Sequence, residues 1–233
     1  MGTPREGRIG KRGDLPMAFQ AEGQRPAPRP TSPDAQAYLR DYGTLLEAVP
    51  FPSLVVDHRW DVVLANSAFR TLFRAAGPHP TAMPDDNFLR FVLFHPDASD
   101  VLGEHESSWC LPMLAHFAAT LERHGHDPGL QAVRRDIAQD PLMEAAYRQG
   151  LPHWVRAVGA RAVEHDGAVR PLHHPDPRRG TTECRVVVET PPALGELGYT
   201  RLTLVLREPR RAPHRPPRAR RSPSHLRVVP AAE

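Results

Sequence analysis

Two cysteines, Cys110 and Cys184, are all the sulfhydryls in 233 residues, and they are far too distant in sequence for a Cys-x-x-Cys pair. That excludes a disulfide framework, a zinc knuckle and a thioredoxin-type redox motif, and a reduced, cytoplasmic protein is expected. No apolar run approaches the roughly 20 residues of a membrane helix, and the N-terminus carries charge where a signal peptide needs an apolar stretch. There is no Gly-x-Gly-x-x-Gly, no phosphate loop and no His-Glu-x-x-His. Ser107 and Ser108 stand in Glu-Ser-Ser-Trp-Cys, without the glycines of a nucleophile elbow. Of thirteen histidines, the tightest groups are His124 with His126 and His173 with His174, and neither has metal-ligand spacing. Cys110, at the start of an apolar helix, reads as a buried, inert thiol rather than an activated one. Neither an enzyme nor a metal protein is expected.

Proline, by contrast, is abundant: 27 residues, above the usual share of about 5%. About a dozen fall before residue 36 or after residue 208, among Arg, Gly and Ser, where too little apolar surface exists to offset chain entropy. The expected organisation is therefore a disordered tail over 1–36, one domain over 37–209 and a second disordered tail over 210–233. The net charge is only +3, yet Arg210 to Arg227 holds about seven arginines and no acid. The middle of the chain must then be net acidic, and only the tail is suited to salt-sensitive contact with phosphates.

Within the domain, Pro52 to Phe73 reads as strand, turn, strand, helix. Leu54-Val55-Val56 stops at Asp57-His58-Arg59, Val62-Val63-Leu64 follows, and Asn66 stands where a helix N-cap belongs, with Phe69, Leu72 and Phe73 on one face behind it. A helix from Ala37 to about Val49 precedes this unit and stops at Pro50. Beyond it, Asp85-Asp86-Asn87 offers caps to an apolar helix with Phe88, Phe91, Val92 and Phe94, ended by Pro96. Helical spacing runs from Trp109 to His124, with Gly125 as C-cap, and from Pro128 to Ile137. Asp140-Pro141 opens another helix, with Leu142, Met143 and Tyr147 inward and Gly150 as its stop. Trp154 to Val158 is ambiguous and reads as extended. Ala168 to Leu172 reads as a strand whose Pro171 suits a sheet edge, and Thr182 to Val188 and Tyr199 to Leu206 read as alternating strands. The fold class is α+β.

The Pro52 to Phe73 segment, the block Asn87-Phe88-Leu89-Arg90-Phe91-Val92-Leu93-Phe94-His95-Pro96-Asp97-Ala98, then Trp109, then Asp140 to Tyr147 resemble, in order, the ligand-binding domain of MmyB-like transcription regulators of actinobacteria, over residues 38 to 209. The resemblance implies a PAS-like antiparallel sheet of about five strands with a central helical insertion, and a cavity for a lipophilic molecule such as a fatty acid. It carries the family motif onto Asp57, Arg59, Trp60, Asn66, Asn87, Arg90 and Pro96. The material to line a cavity is Trp60, Leu64, Phe69, Phe73, Phe88, Phe91, Phe94, Trp109 and Phe117, which from sequence either enclose a pocket or pack the core. Asp57, Arg59 and Asn66 read as corner, exposed cation and helix cap.

In that family a helix-turn-helix normally precedes the domain, and the 35 or so residues before it here are too few for one. The expected function is ligand sensing in a transcription regulator, with a small lipophilic ligand and a homodimer or a helix-turn-helix partner. The alternative is a dimerising interaction module that touches nucleic acid only through the Arg210 to Arg227 tail.

Overall fold

The computed structural model describes residues 32–207 apart from 175, 177 and 179. The expectations for the two tails lie outside the described residues, except at the start of the domain. There the Ser32 hydroxyl accepts from the Ala35 amide at 3.1 Å, and Pro33 occupies a first-turn position that needs no N–H, so α1 spans Pro33–Glu47 and begins four residues before the expected Ala37.

β1 (Ser53–Val56) and β2 (Val62–Ala65) pair antiparallel, with Leu54 opposite Ala65 and Val55 opposite Leu64. Their corner is built on Asp57, whose Oδ1 accepts from the amides of Arg59 at 2.8 Å and Asp61 at 3.0 Å. Trp60, within the corner, has φ +67°. That conformation costs a bulky L-residue about 1–2 kcal/mol. Asn66 caps α2 (Ser67–Leu72) and Asn87 caps α3 (Phe88–Phe94), each accepting from the amide three residues on. Pro96 holds His95 extended and ends α3.

The helical insertion continues with α4 (Ala98–Val101), a π-helical turn over His105–Cys110 that runs directly into α5 (Leu111–Arg123), and α6 (Pro128–Gln139). α7 (Pro141–Ala145) passes through a second π-turn, Ala146–Gly150, into α8 (Leu151–Val158), followed by a 3₁₀ turn over Gly159–Val163. Five expectations are corrected here. Trp109 lies on a π-turn, not on the α-helix that follows. Gly125 follows the capping residue His124 without taking the left-handed conformation of a cap glycine. Gly150 does not stop its helix, because Pro152 fits the first turn of α8; the stop is Gly159 at φ +73°. Trp154 to Val158 is helical rather than extended: Leu151 and Trp154, three residues apart, both reach the core, while Val155 is left 36% exposed. Leu142 also differs, being 83% exposed, whereas Met143 and Tyr147 pack against the core as expected.

β3 (Val169–His173), β4 (Thr181–Glu189) and β5 (Thr200–Arg207) complete a five-stranded antiparallel sheet of order β2-β1-β5-β4-β3, with α9 (Pro192–Glu196) between the last two strands. The α+β expectation holds. Pro171 sits in the edge strand β3, where a missing donor is tolerated. The outer side of that edge is covered: Leu102 bridges to Leu172, and the Trp109 indole donates to the Pro171 carbonyl at 2.9 Å. One sheet face carries Leu54, Val56, Leu202, Leu204, Val186, Cys184 and Leu172 into the main core with the helical insertion. On the other, Val55 meets Leu39, Tyr42 and Leu46 of α1 together with Leu194 and Tyr199.

Candidate functional site

The aromatic residues converge as their spacing implies. Trp60, Phe69, Phe73, Phe88, Phe91, Trp109 and Phe117 are all buried in the main core. Ring contacts link Phe69 to Phe73 (4.7 Å), Phe73 to Phe91 (5.1 Å) and Phe88 (5.8 Å), and Phe88 to Trp60 (6.3 Å) and Trp109 (6.5 Å). Phe117 turns instead to Tyr147, at 6.1 Å. Two residues stand apart. Phe94 is half-buried at the margin under the Arg90 guanidinium and lines an open groove of about 610 Å³ with Asp136 and Pro141. Leu64 points to the opposite sheet face, lining a groove of about 410 Å³ between α1 and β2, because strand alternation sends it away from Ala65.

The polar motif residues hold elements together. Arg59 is not free: its Nε donates to Asp127 at 2.9 Å, and His58 contacts the same carboxylate at 3.1 Å, tying the β1–β2 corner to the start of α6. The Asn87 side chain donates to the Arg59 carbonyl at 3.0 Å and to Asp61 at 2.7 Å. Arg90 donates to the Thr81 carbonyl at 2.8 Å and pairs with Asp136. Asn66 accepts from Ser53 and Phe69 and donates toward three carbonyls, that of Leu46 in the last turn of α1 and those of Val49 and Phe51 in the link to β1. These contacts fix the corner, α3 and α1 relative to the sheet.

At the Trp60–Trp109 end of the ring chain lies a polar cluster that the sequence reading missed. Arg170 on β3 is 5% exposed and His165, in the turn before it, 7% exposed. An Arg170 Nη lies 2.7 Å from His165 Nδ1, and its guanidinium lies 5.1 Å over the Trp109 ring. The His165 ring is 5.0 Å from His116 of α5, and Trp60 meets both imidazoles edge-on at 5.2 Å. One signal for Arg170 was legible: in a strand it shares a face with Leu172, so a cation was bound for the interior. His116 and His165 gave none.

The electrostatics follow from burial. Desolvation holds His165 well below the ordinary histidine range and brings His116 to about 4, the latter opposed by a hydrogen bond to the Val163 backbone. Both rings are neutral at pH 7. Desolvation also lowers Arg170 to about 10, which leaves it cationic. Its strand partner Cys184 is pushed up to about 12, a neutral thiol. Among the described residues no carboxylate pairs with Arg170. Because arginine only donates, His165 Nδ1 must be the acceptor, and the proton of the neutral ring sits on Nε2. That Nε2 is buried and has no hydrogen-bond partner among the described residues.

The other reactive groups are engaged or inert. Ser108 bonds to the Glu104 side chain at 3.1 Å, and burial pushes the Cys110 thiol up to about 12. Among the described residues no group of three or more His, Cys, Asp or Glu side chains is placed to hold a metal ion, and no helix is long and apolar enough to cross a membrane.

No curated protein matches this sequence. The family model of the MmyB-like transcription regulator ligand binding domain matches residues 39–196, well over half of the chain, across the corner, the ring cluster and the Arg170 strand. The chain belongs to the MmyB-like transcription regulator ligand-binding domain family.

Proposed function

We propose that this ligand-binding domain senses a small lipophilic molecule of fatty-acid type, taken up between the sheet and α3 among the rings of Trp60, Phe73, Phe88, Phe91 and Trp109, in the manner of a PAS-like sensor. The observation that carries the reading is Trp60. A buried tryptophan held at φ +67° between Phe88 and two imidazoles stores backbone strain where an apolar guest would sit, and strain of this kind gathers at ligand clamps.

The strained residue is wired to α3. The Phe88 amide, first in α3, donates to the Trp60 carbonyl at 3.0 Å, and the Val62 amide donates to Asp86 at 2.8 Å just ahead of the same helix. A guest that moves the Trp60 ring moves the corner and α3 together. Asn66 connects the same hairpin to the end of α1, so the response leaves through α1 toward a helix-turn-helix unit. The ligand drives it only to the extent that it binds one arrangement more tightly than the other.

Native mass spectrometry of freshly purified protein, set against its denatured mass, tests the reading. A co-purifying acyl species of a few hundred daltons is expected, together with a raised melting temperature on adding saturated fatty acids. A clean ligand-free mass with no thermal response to fatty acids or lipid extracts would sink it.

A further inference from the structure

We propose that the flank of α1 carrying Arg40, Gly43, Thr44 and Glu47, together with the edge of β2 beside it, is a contact surface for a second copy of this chain. The two copies cross antiparallel about a two-fold axis at Gly43 and Thr44. This surface lies on the sheet face opposite the ring cluster, and the inference stands apart from the ligand reading.

Gly43 sits inside a 15-residue helix in ordinary helical conformation, where glycine costs stability relative to alanine. Nothing inside the domain requires it: a Cβ at this position would meet Leu64 Cδ2 at an ordinary 3.7 Å. What glycine permits on a helix surface is the close approach of another backbone. It opens on the groove of about 410 Å³ whose wall is α1 and whose floor is β2. That floor is the less protected edge of the sheet. Asp86 takes the Val62 amide and Asn87 bridges to Asp61, but beyond them no strand lies outside Val63 to Ala65 among the described residues.

Charge names the occupant. Arg40 and Glu47 lie two turns, about 10 Å, apart along one helix face. Arg40 is exposed and takes part in no ion pair among the described residues. Glu47 takes the Ser67 amide at 2.9 Å and Arg70 at 3.3 Å, with lone pairs left for another cation. Asp85 and Arg70 line the same groove, Asp85 beside the start of β2 and Arg70 beyond its end. A partner of one sign would meet like charge along this surface. A second copy, turned antiparallel, sets Arg40 against Glu47 and Asp85 against Arg70, twice over by symmetry. The four charges cancel, so two copies meet here without the repulsion that the acidic remainder of the domain would bring.

Sedimentation velocity on the full chain, over concentrations from about 1 to 200 μM, is the test. The average mass is expected to climb from 25.9 kDa toward twice that, with a dissociation constant of about 1–100 μM, as suits a small interface. Gly43→Leu fills the groove and should weaken the dimer roughly 10- to 100-fold. The melting temperature of this variant, measured in dilute solution where the native chain is monomeric, should not fall, because leucine is the better helix former. Arg40→Glu and Glu47→Arg each set like charges together across the axis, and each alone should weaken the dimer about tenfold or more. An equimolar mixture of these two variants restores association, since opposite charges then meet at both contacts. Misfolded variants could not give that rescue. A chain that stays monomeric over the whole range would overturn the proposal, and so would a dimer that all three variants leave intact or a mixture that fails to associate. Should Gly43→Leu not fold, the charge variants and their mixture decide alone. None of these outcomes bears on the lipophilic-sensor reading, which stands or falls on the co-purifying ligand.

Discussion

The Asn66 side-chain nitrogen donates to the Leu46 carbonyl at 3.2 Å, and the same amide group reaches Val49 at 3.0 Å and Phe51 at 2.9 Å. Its oxygen meanwhile accepts from Ser53 at 3.0 Å and Phe69 at 2.9 Å. One buried side chain therefore closes α1, starts β1 and caps α2. Asn66→Asp keeps the shape and the cap but faces three carbonyls with an oxygen that cannot donate. We expect a loss of about 3–5 kcal/mol, the range for breaking a buried polar network. Urea denaturation reads it, and a loss under 1 kcal/mol would mean that the clamp is dispensable.

Half of that clamp was legible. Asn66 before a Leu-Phe helix reads directly as an N-cap, because capping is local and needs only the next three residues. The carbonyls of Leu46, Val49 and Phe51 come from a chain reversal whose path no spacing encodes. The same division runs through the molecule. Strands with clean alternation, and helices opened by Asn87 or Asp140, follow from local chemistry. Trp154 to Val158 was misread because its residue types suit a strand while its burial, set by neighbours distant in sequence, suits a helix. At the candidate site the aromatic residues announced themselves by number and spacing. His116, His165 and Arg170 meet only when α5, the turn before β3 and β3 itself pack together, so only Arg170, in phase with Leu172, left a trace in the sequence.

Leu142 and Met143 make that contrast measurable. Leu142 is 83% exposed and Met143 packs on the core margin. Leu142→Glu should change stability by no more than about 0.5 kcal/mol, and Met143→Glu should cost about 2–3 kcal/mol through burial of a carboxylate. Equal effects in thermal melts would contradict the placement of α7.

Both thiols should be silent in the native protein. Burial pushes Cys110 and Cys184 each up to about 12, so neither holds appreciable thiolate at neutral pH. A chromogenic disulfide reagent is expected to titrate no thiol in buffer and both in denaturant. Rapid reaction of either in buffer would show that its surroundings open.

Acid should weaken the fold through the histidines before the carboxylates respond. His116 and His165 are neutral in the folded chain down to pH values well below 6.5, whereas the unfolded chain protonates them there. Their folded pKa values are depressed, so the stability they confer is complete above about pH 6.5 and falls as pH drops toward the folded values. For His116, with a folded value of about 4, the loss is on the order of 3 kcal/mol. The hydrogen-bonded carboxylates of Asp127 and Glu144, shifted downward, add their losses only at lower pH. Urea midpoints measured between pH 7.5 and 5 should decline, and more shallowly in His116→Gln. A flat profile would refute the neutral burial of the pair.

The strand order sets a schedule for the growing chain. β1 and β5 are neighbours in the middle of the sheet, and Ser53 bonds to Thr203 across 150 residues. At ribosomal speeds of roughly 5–20 residues per second, the first hairpin emerges on the order of ten seconds or more before its central partner exists. Throughout that interval β1 presents an unpaired edge, while α1, already made, can lie against the face that carries Val55. α1 thus serves the nascent protein as a temporary cover, and a chain shortened from that end would be exposed to chaperones and proteases while it is still being made.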